Sequence, residues 1–164
     1  MSAVWQAIAD SLRSELAEYG RLLGLYEEQQ TLLFKRDAAG VLRVSDMIDG
    51  QLEVVLECRR NRDDATSGFA GARGLPESSR LCSLLPLIAE EAQPLLRALI
   101  SDANRMVARL RRISRHNRLF LIRTIDIQQD LLRRFRPGCF TKTYSPTGRV
   151  SVASTGHRAL AAEV

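Results

Sequence analysis

The feature that most constrains this chain is a long apolar stripe in its last third. Ile88, Ala92, Leu95, Leu99, Met106, Leu110, Ile113, Asn117, Phe120, Thr124, Ile127 and Leu131 follow one another at steps of mostly three and four residues. That is the repeat of a helix packed lengthwise against other helices. From Pro94 through Phe135 the chain has 42 residues, on the order of 60 Å of helix at about 1.5 Å rise per residue. A stripe of this length needs other helices to cover it.

The upstream sequence supplies them. A first helix over about residues 3–35 places Trp5, Ile8, Leu12, Leu16, Tyr19, Leu23, Tyr26 and Leu33 on one face. The stripe stays in phase through Gly20 and Gly24, so one helix is expected despite roughly 1 kcal/mol lost at each glycine relative to alanine. Asp37 suits the N-cap of a second helix over about 38–62, with Val41, Val44, Ile48, Leu52 and Val55 inward. So short a connection makes the two helices antiparallel neighbours. Ser67, Gly68, Gly71, Gly74, Pro76, Ser78 and Ser79 then read as a flexible linker over about 63–79. The third helix is expected over about 80–135, starting where Pro86 and Pro94 permit and stopping at Arg136-Pro137-Gly138. Being longer than the first two, it should expose apolar surface to a partner or to a second copy of the chain, forming a homo-oligomer. The expected fold class is all-α: an antiparallel helical hairpin plus a long third helix, a coiled-coil-like three-helix bundle over 1–136. A mobile tail over 137–164 is expected to follow.

Composition agrees. Of 164 residues 45% are hydrophobic but only 5% aromatic, an aliphatic balance suited to bundles more than to β-sandwiches. No apolar run approaches the roughly 18 residues of a membrane span, and Pro86 breaks the longest candidate, Leu81 to Ala89. Without a basic and apolar leader at Met1-Ser2-Ala3-Val4-Trp5, the expected location is the cytoplasm. Cys58, Cys82 and Cys139 are widely spaced and form no C-x-x-C pair, so reduced thiols are expected, with no metal and no cofactor.

Charge is distributed unevenly. Residues 1–57 carry ten acids against five bases, whereas residues 105–136 carry ten arginines against Asp126 and Asp130. Such a run can mark a nucleic-acid surface. Phased on the stripe, however, Arg105, Arg111, Arg112, Arg115, Arg118, Arg133 and Arg136 fall on outward positions, as in any bundle helix in water, and the aromatics of an RNA platform are missing. Catalysis finds little support. The two histidines, His116 and His157, stand in no phosphate-loop, H-E-x-x-H or G-x-S-x-G pattern. Asn117 and Thr124 interrupt the stripe, either as buried polar residues that fix register or as part of a face left for a partner.

In order and spacing these features resemble the FlgN-type flagellar export chaperones. The most specific part is C-terminal: Leu110-x-x-Ile113-x-x-His116-Asn117-x-x-x-Leu121, then Leu131-Leu132, then Thr143-Tyr144-x-x-x-Gly148-Arg149. The resemblance implies a chaperone without enzymatic activity that binds the C-terminal helical regions of the hook-associated proteins FlgK and FlgL and delivers them to the export gate protein FlhA. Carried over, the client surface is Ile113, Asn117, Phe120, Leu121, Ile127 and Leu131, and the gate contact is Tyr144 with Gly148. Ser145-Pro146 departs from the more usual glycine and small residue. Two readings stand as alternatives: an Arg-rich helical nucleic-acid binder, and a coiled-coil adaptor with no export client.

Overall fold

The computed structural model describes residues 2–135, 140–144 and 150–154. They form α1 (Ser2–Lys35), α2 (Ala38–Gly71), α3 (Leu81–Leu84), single 3-10 turns at Leu85–Leu87 and Glu90–Ala92, α4 (Gln93–Phe135), β1 (Phe140–Tyr144) and β2 (Val150–Ser154). The chain divides after Arg118 into two compact units, and α4 contributes to both.

In the first unit, α1 and α2 are antiparallel. The partners Glu15 and Arg62, Glu18 and Gln51, and Gln29 and Ser45 run in opposite directions along the two helices. The turn between them is tight because Arg36 takes a left-handed φ of 58°. Arg36 N–H donates to the Leu33 carbonyl and Asp37 N–H to that of Leu32, which closes α1, and the Asp37 carboxylate accepts from Gly40 N–H at 2.9 Å, which opens α2.

Two apolar clusters fill the unit. Ile8, Ala9 and Leu12 of α1 meet Phe69 and Ala70 of α2, Leu84, Leu85, Ile88 and Ala92 of the connection, and Leu96 of α4. Further along, Tyr19, Leu22 and Leu23 meet Val44, Ile48 and Val55 of α2 and Ala103 and Leu110 of α4. α4 thus packs on α1 and runs parallel to it, and the fold is all-α, as the periodicity requires. At about 1.5–3 kcal/mol for each fully buried aliphatic side chain, these clusters dominate the unit's stability.

Two expectations are corrected. α2 does not end near Arg62 but runs to Gly71, so most of the expected linker is helix. The cause is tertiary: Thr66, Phe69 and Ala70 are buried, and this burial outweighs the weak helix propensity of Ser67, Gly68 and Gly71. The true stop is Gly74, at φ 69°, where Leu75 N–H returns to the Ala70 carbonyl and Gly74 N–H to that of Gly71. The third helix likewise does not start at residue 80. Pro86 is confined to a 3-10 turn, and the long helix begins only at Gln93, with Pro94 in its first turn, where a missing N–H costs nothing.

The second unit contains residues 119–135 of α4 and, within the stretch read as a tail, an antiparallel strand pair. Its register runs from Phe140 opposite Ser154 to Tyr144 opposite Val150. Thr141, Thr143, Tyr144, Val150 and Val152, flanking Pro146 and Gly148, carry the strand and turn signals the helical reading passed over.

Candidate functional site

α4 is the element that carries the expected binding residues, and its inward face changes character along its length. Leu96, Ala103, Leu110 and Asn117, seven residues apart, are the helix's buried positions. Asn117 is 1% exposed. Its Nδ2 donates to the Tyr26 carbonyl at 2.9 Å and to Gln29 Oε1 at 3.0 Å. Gln29 Nε2 donates in turn to Ser45 Oγ, and Ser45 Oγ to the Val41 carbonyl. A polar layer thereby ties three helices together. Asn117 Oδ1 has no partner among the described residues, and a buried unmet acceptor costs about 1–3 kcal/mol. This layer consequently favours register more than stability.

Six residues were expected to form one client surface, and the structure distributes them. Ile113 packs half-buried against the second cluster and Asn117 is fully covered, both within the first unit. Phe120 and Leu121 are half-buried, while Ile127 and Leu131 are 61% and 49% exposed, all four in the second unit. Exposed beside them are Ile125, Leu132 and Phe135, the last at 81%, which the stripe did not include. At about 100° per residue, Phe120, Leu121, Thr124, Ile125, Ile127, Leu131, Leu132 and Phe135 share an arc of about 160°. Tracing steps of three and four picked out one row of that arc, and counting apolar residues over its full width would have found the rest.

Within the arc Thr124 is polar in name only. Its hydroxyl donates to the Phe120 carbonyl one turn back at 2.9 Å, which leaves its methyl group for packing. The opposite side of the same segment holds Arg123, Asp126, Asp130, Arg133 and Arg134, with Arg133 paired to Asp130 at 3.2 Å, together with the exposed Leu119 and Ile122. The segment is thus an amphipathic helix of about 25 Å with an exposed apolar face. Tyr144 ends β1 as the last paired residue before the connection to β2. Gly148 lies outside the described residues, as do Arg136, Cys139 and His157.

Reactive groups are poorly placed for chemistry. Burial pushes the Cys58 thiol up, and Glu18, Glu15 and Glu57 push it further, away from the nucleophilic thiolate. Among the described residues no hydrogen bond joins a Cys, Ser or Thr to a histidine, and no three His, Cys, Asp or Glu side chains could hold a metal. No helix among them is long and apolar enough to cross a membrane.

A family model, described as FlgN protein, matches residues 1–151. The chain belongs to the FlgN family. Members of the FlgN family are chaperones of flagellum assembly and not enzymes, so an exposed apolar face on an ordered helix is the kind of site FlgN function calls for. No curated protein and no solved structure matches the chain.

Proposed function

We propose that this FlgN chain captures the C-terminal helical regions of FlgK and FlgL in the cytoplasm, masks them, and hands them to the export gate protein FlhA. The observation that carries the reading is the continuous apolar arc of α4 beyond Arg118. Phe120, Leu121, Ile127 and Leu131, widened by Ile125, Leu132 and Phe135, offer anchors at three- and four-residue steps, the pattern of helix-in-groove recognition. Ile113 and Asn117 serve from within the bundle, where they fasten α4 to α1 and leave the arc to the client. Covering the arc removes apolar area from water on both partners, while ordering a flexible client offsets part of the gain, which keeps release accessible. Tyr144 and Gly148 make the gate contact.

The test is calorimetry of the full chain against C-terminal peptides of FlgK and FlgL. Ile127→Asp with Leu131→Asp should weaken binding by tenfold or more, about 1.4 kcal/mol, with helicity and melting temperature unchanged because both sites are exposed. Tyr144→Ala should leave client binding intact while impairing export of the client in cells. Absence of binding by the intact chain would refute the client reading, and loss of both properties in Tyr144→Ala would move Tyr144 to the client site.

A further inference from the structure

Five exposed arginines are neutralised locally by an acid three residues earlier, Arg13 by Asp10, Arg21 by Glu18, Arg60 by Glu57, Arg105 by Asp102 and Arg133 by Asp130. Within the described residues of α4 no such pair forms between Arg105 and Arg133. No acid occurs between Asp102 and Asp126, an interval that holds seven arginines. Among the described residues Arg111, Arg112, Arg115 and Arg118 are exposed and make no ion pair. Their spacing stacks like charges at i,i+3 and i,i+4, which weakens the helix that carries them. Only an opposing charge would relieve this.

The complement lies on α2. Asp46, Asp49 and Glu53 are exposed and likewise make no ion pair among the described residues. They form an outward acidic row, with Leu42 and Leu56 exposed at its ends. Asp46 to Glu53 and Arg111 to Arg118 each span seven residues, about 10 Å of helix, so the two rows match in length and step. At about 100° per residue the acidic row lies about 150°, and the arginine row about 110°, round its helix from the buried faces formed by Val44, Ile48 and Val55 on α2 and Leu96, Ala103 and Leu110 on α4. Both rows are exposed, and within one chain no ion pair joins them among the described residues. The first unit nevertheless carries 17 basic and 16 acidic residues, so it is nearly neutral overall yet strongly divided.

We infer that the arginine row of α4 docks on the acidic row of α2 of a second copy of this chain. A two-fold arrangement makes the contact twice, each copy giving one row of either sign. Exposed ion pairs are individually weak and screened by salt, so the dimer is weak and governed by ionic strength. An acidic foreign protein would satisfy the arginines but leave the acidic row unanswered. A second copy answers both.

Sedimentation of the full chain over a concentration series tests this, in about 0.01 M and about 1 M salt, where the Debye length is roughly 30 Å and 3 Å. Dimer is expected at low salt, with association weakened by tenfold or more at high salt. Arg112→Glu with Arg115→Glu, and separately Asp49→Arg with Glu53→Arg, should each leave a monomer with unchanged helicity by circular dichroism. An equimolar mixture of the two variants should dimerise again, because every facing row is then of opposite sign. Because only folded chains can recover association on mixing, that result separates lost pairing from lost structure. A monomer throughout at low salt would overturn the inference, as would a mixture no more associated than its parts. So would association that strengthens with salt, which would assign self-contact to apolar surface. A monomer that binds a DNA duplex through the arginine row would overturn it in favour of phosphate.

Discussion

Asp37 opens α2 only because residue 40 is glycine. A Cβ at Gly40 would stand 2.5 Å from the Asp37 carboxylate oxygen and 3.0 Å from Leu32 Cδ2. Gly40→Ala therefore has to displace the cap it would otherwise strengthen, and a loss of about 1–2 kcal/mol in chemical denaturation is expected. A second residue-scale effect lies at Tyr19. Burial first, and then its hydrogen bond to Glu15 at 2.5 Å, push the Tyr19 phenol well above its ordinary pKa of 10.0. The folded state thus holds this proton more tightly than the unfolded chain. The stabilisation is complete below about pH 10 and is lost as pH rises through and beyond that value. Stability measured at pH 8, 10 and 11.5, values on the order of this transition, should fall more steeply for the parent than for Tyr19→Phe.

At the scale of elements, α1 and α2 are joined by a buried ion pair as well as by apolar contact. Arg62 Nη1 meets Glu15 at 2.8 Å, with the carboxylate 1% exposed. Burial works against the Arg62 charge, but the hydrogen bond to Asp63 and the carboxylates of Glu15 and Asp63 outweigh it and raise its pKa. Arg62→Met strands a buried carboxylate and should cost about 3–5 kcal/mol, whereas Glu15→Leu with Arg62→Met should recover most of that loss in a double-mutant cycle. This pair lies between the two apolar clusters as the Asn117 layer lies beyond the second, so polar contacts divide the bundle into segments of fixed register.

Across the whole molecule, legibility followed the range of the interactions. The α1–α2 hairpin was readable because its signals, Asp37 and the stripes on either side, are local. The end of α2 was misread because Ser67, Gly68 and Gly71 speak locally for a linker, while Phe69 and Ala70 are held in helix by Ile8, Leu84 and Leu96 from distant parts of the chain. The apolar arc of α4 was legible at Phe120, Ile127 and Leu131, since periodicity reports one row of a helix well. That Asn117 is already covered depends on Tyr26 and Gln29 of α1, about ninety residues away, which no pattern within α4 could reveal.

The tight turn at Arg36 and Asp37 also bears on the order of events at the ribosome. Contacts between α1 and α2 begin beside the turn, with Gln29 and Ser45 16 residues apart, so the hairpin can close outward from its turn while α4 is still being synthesised. The remainder of the first unit is then translated beside that hairpin, in the order Leu84, Leu96, Leu110. The apolar arc is translated last of the stripe, so Leu96, Leu110 and Asn117 can reach their partners on the hairpin before it emerges.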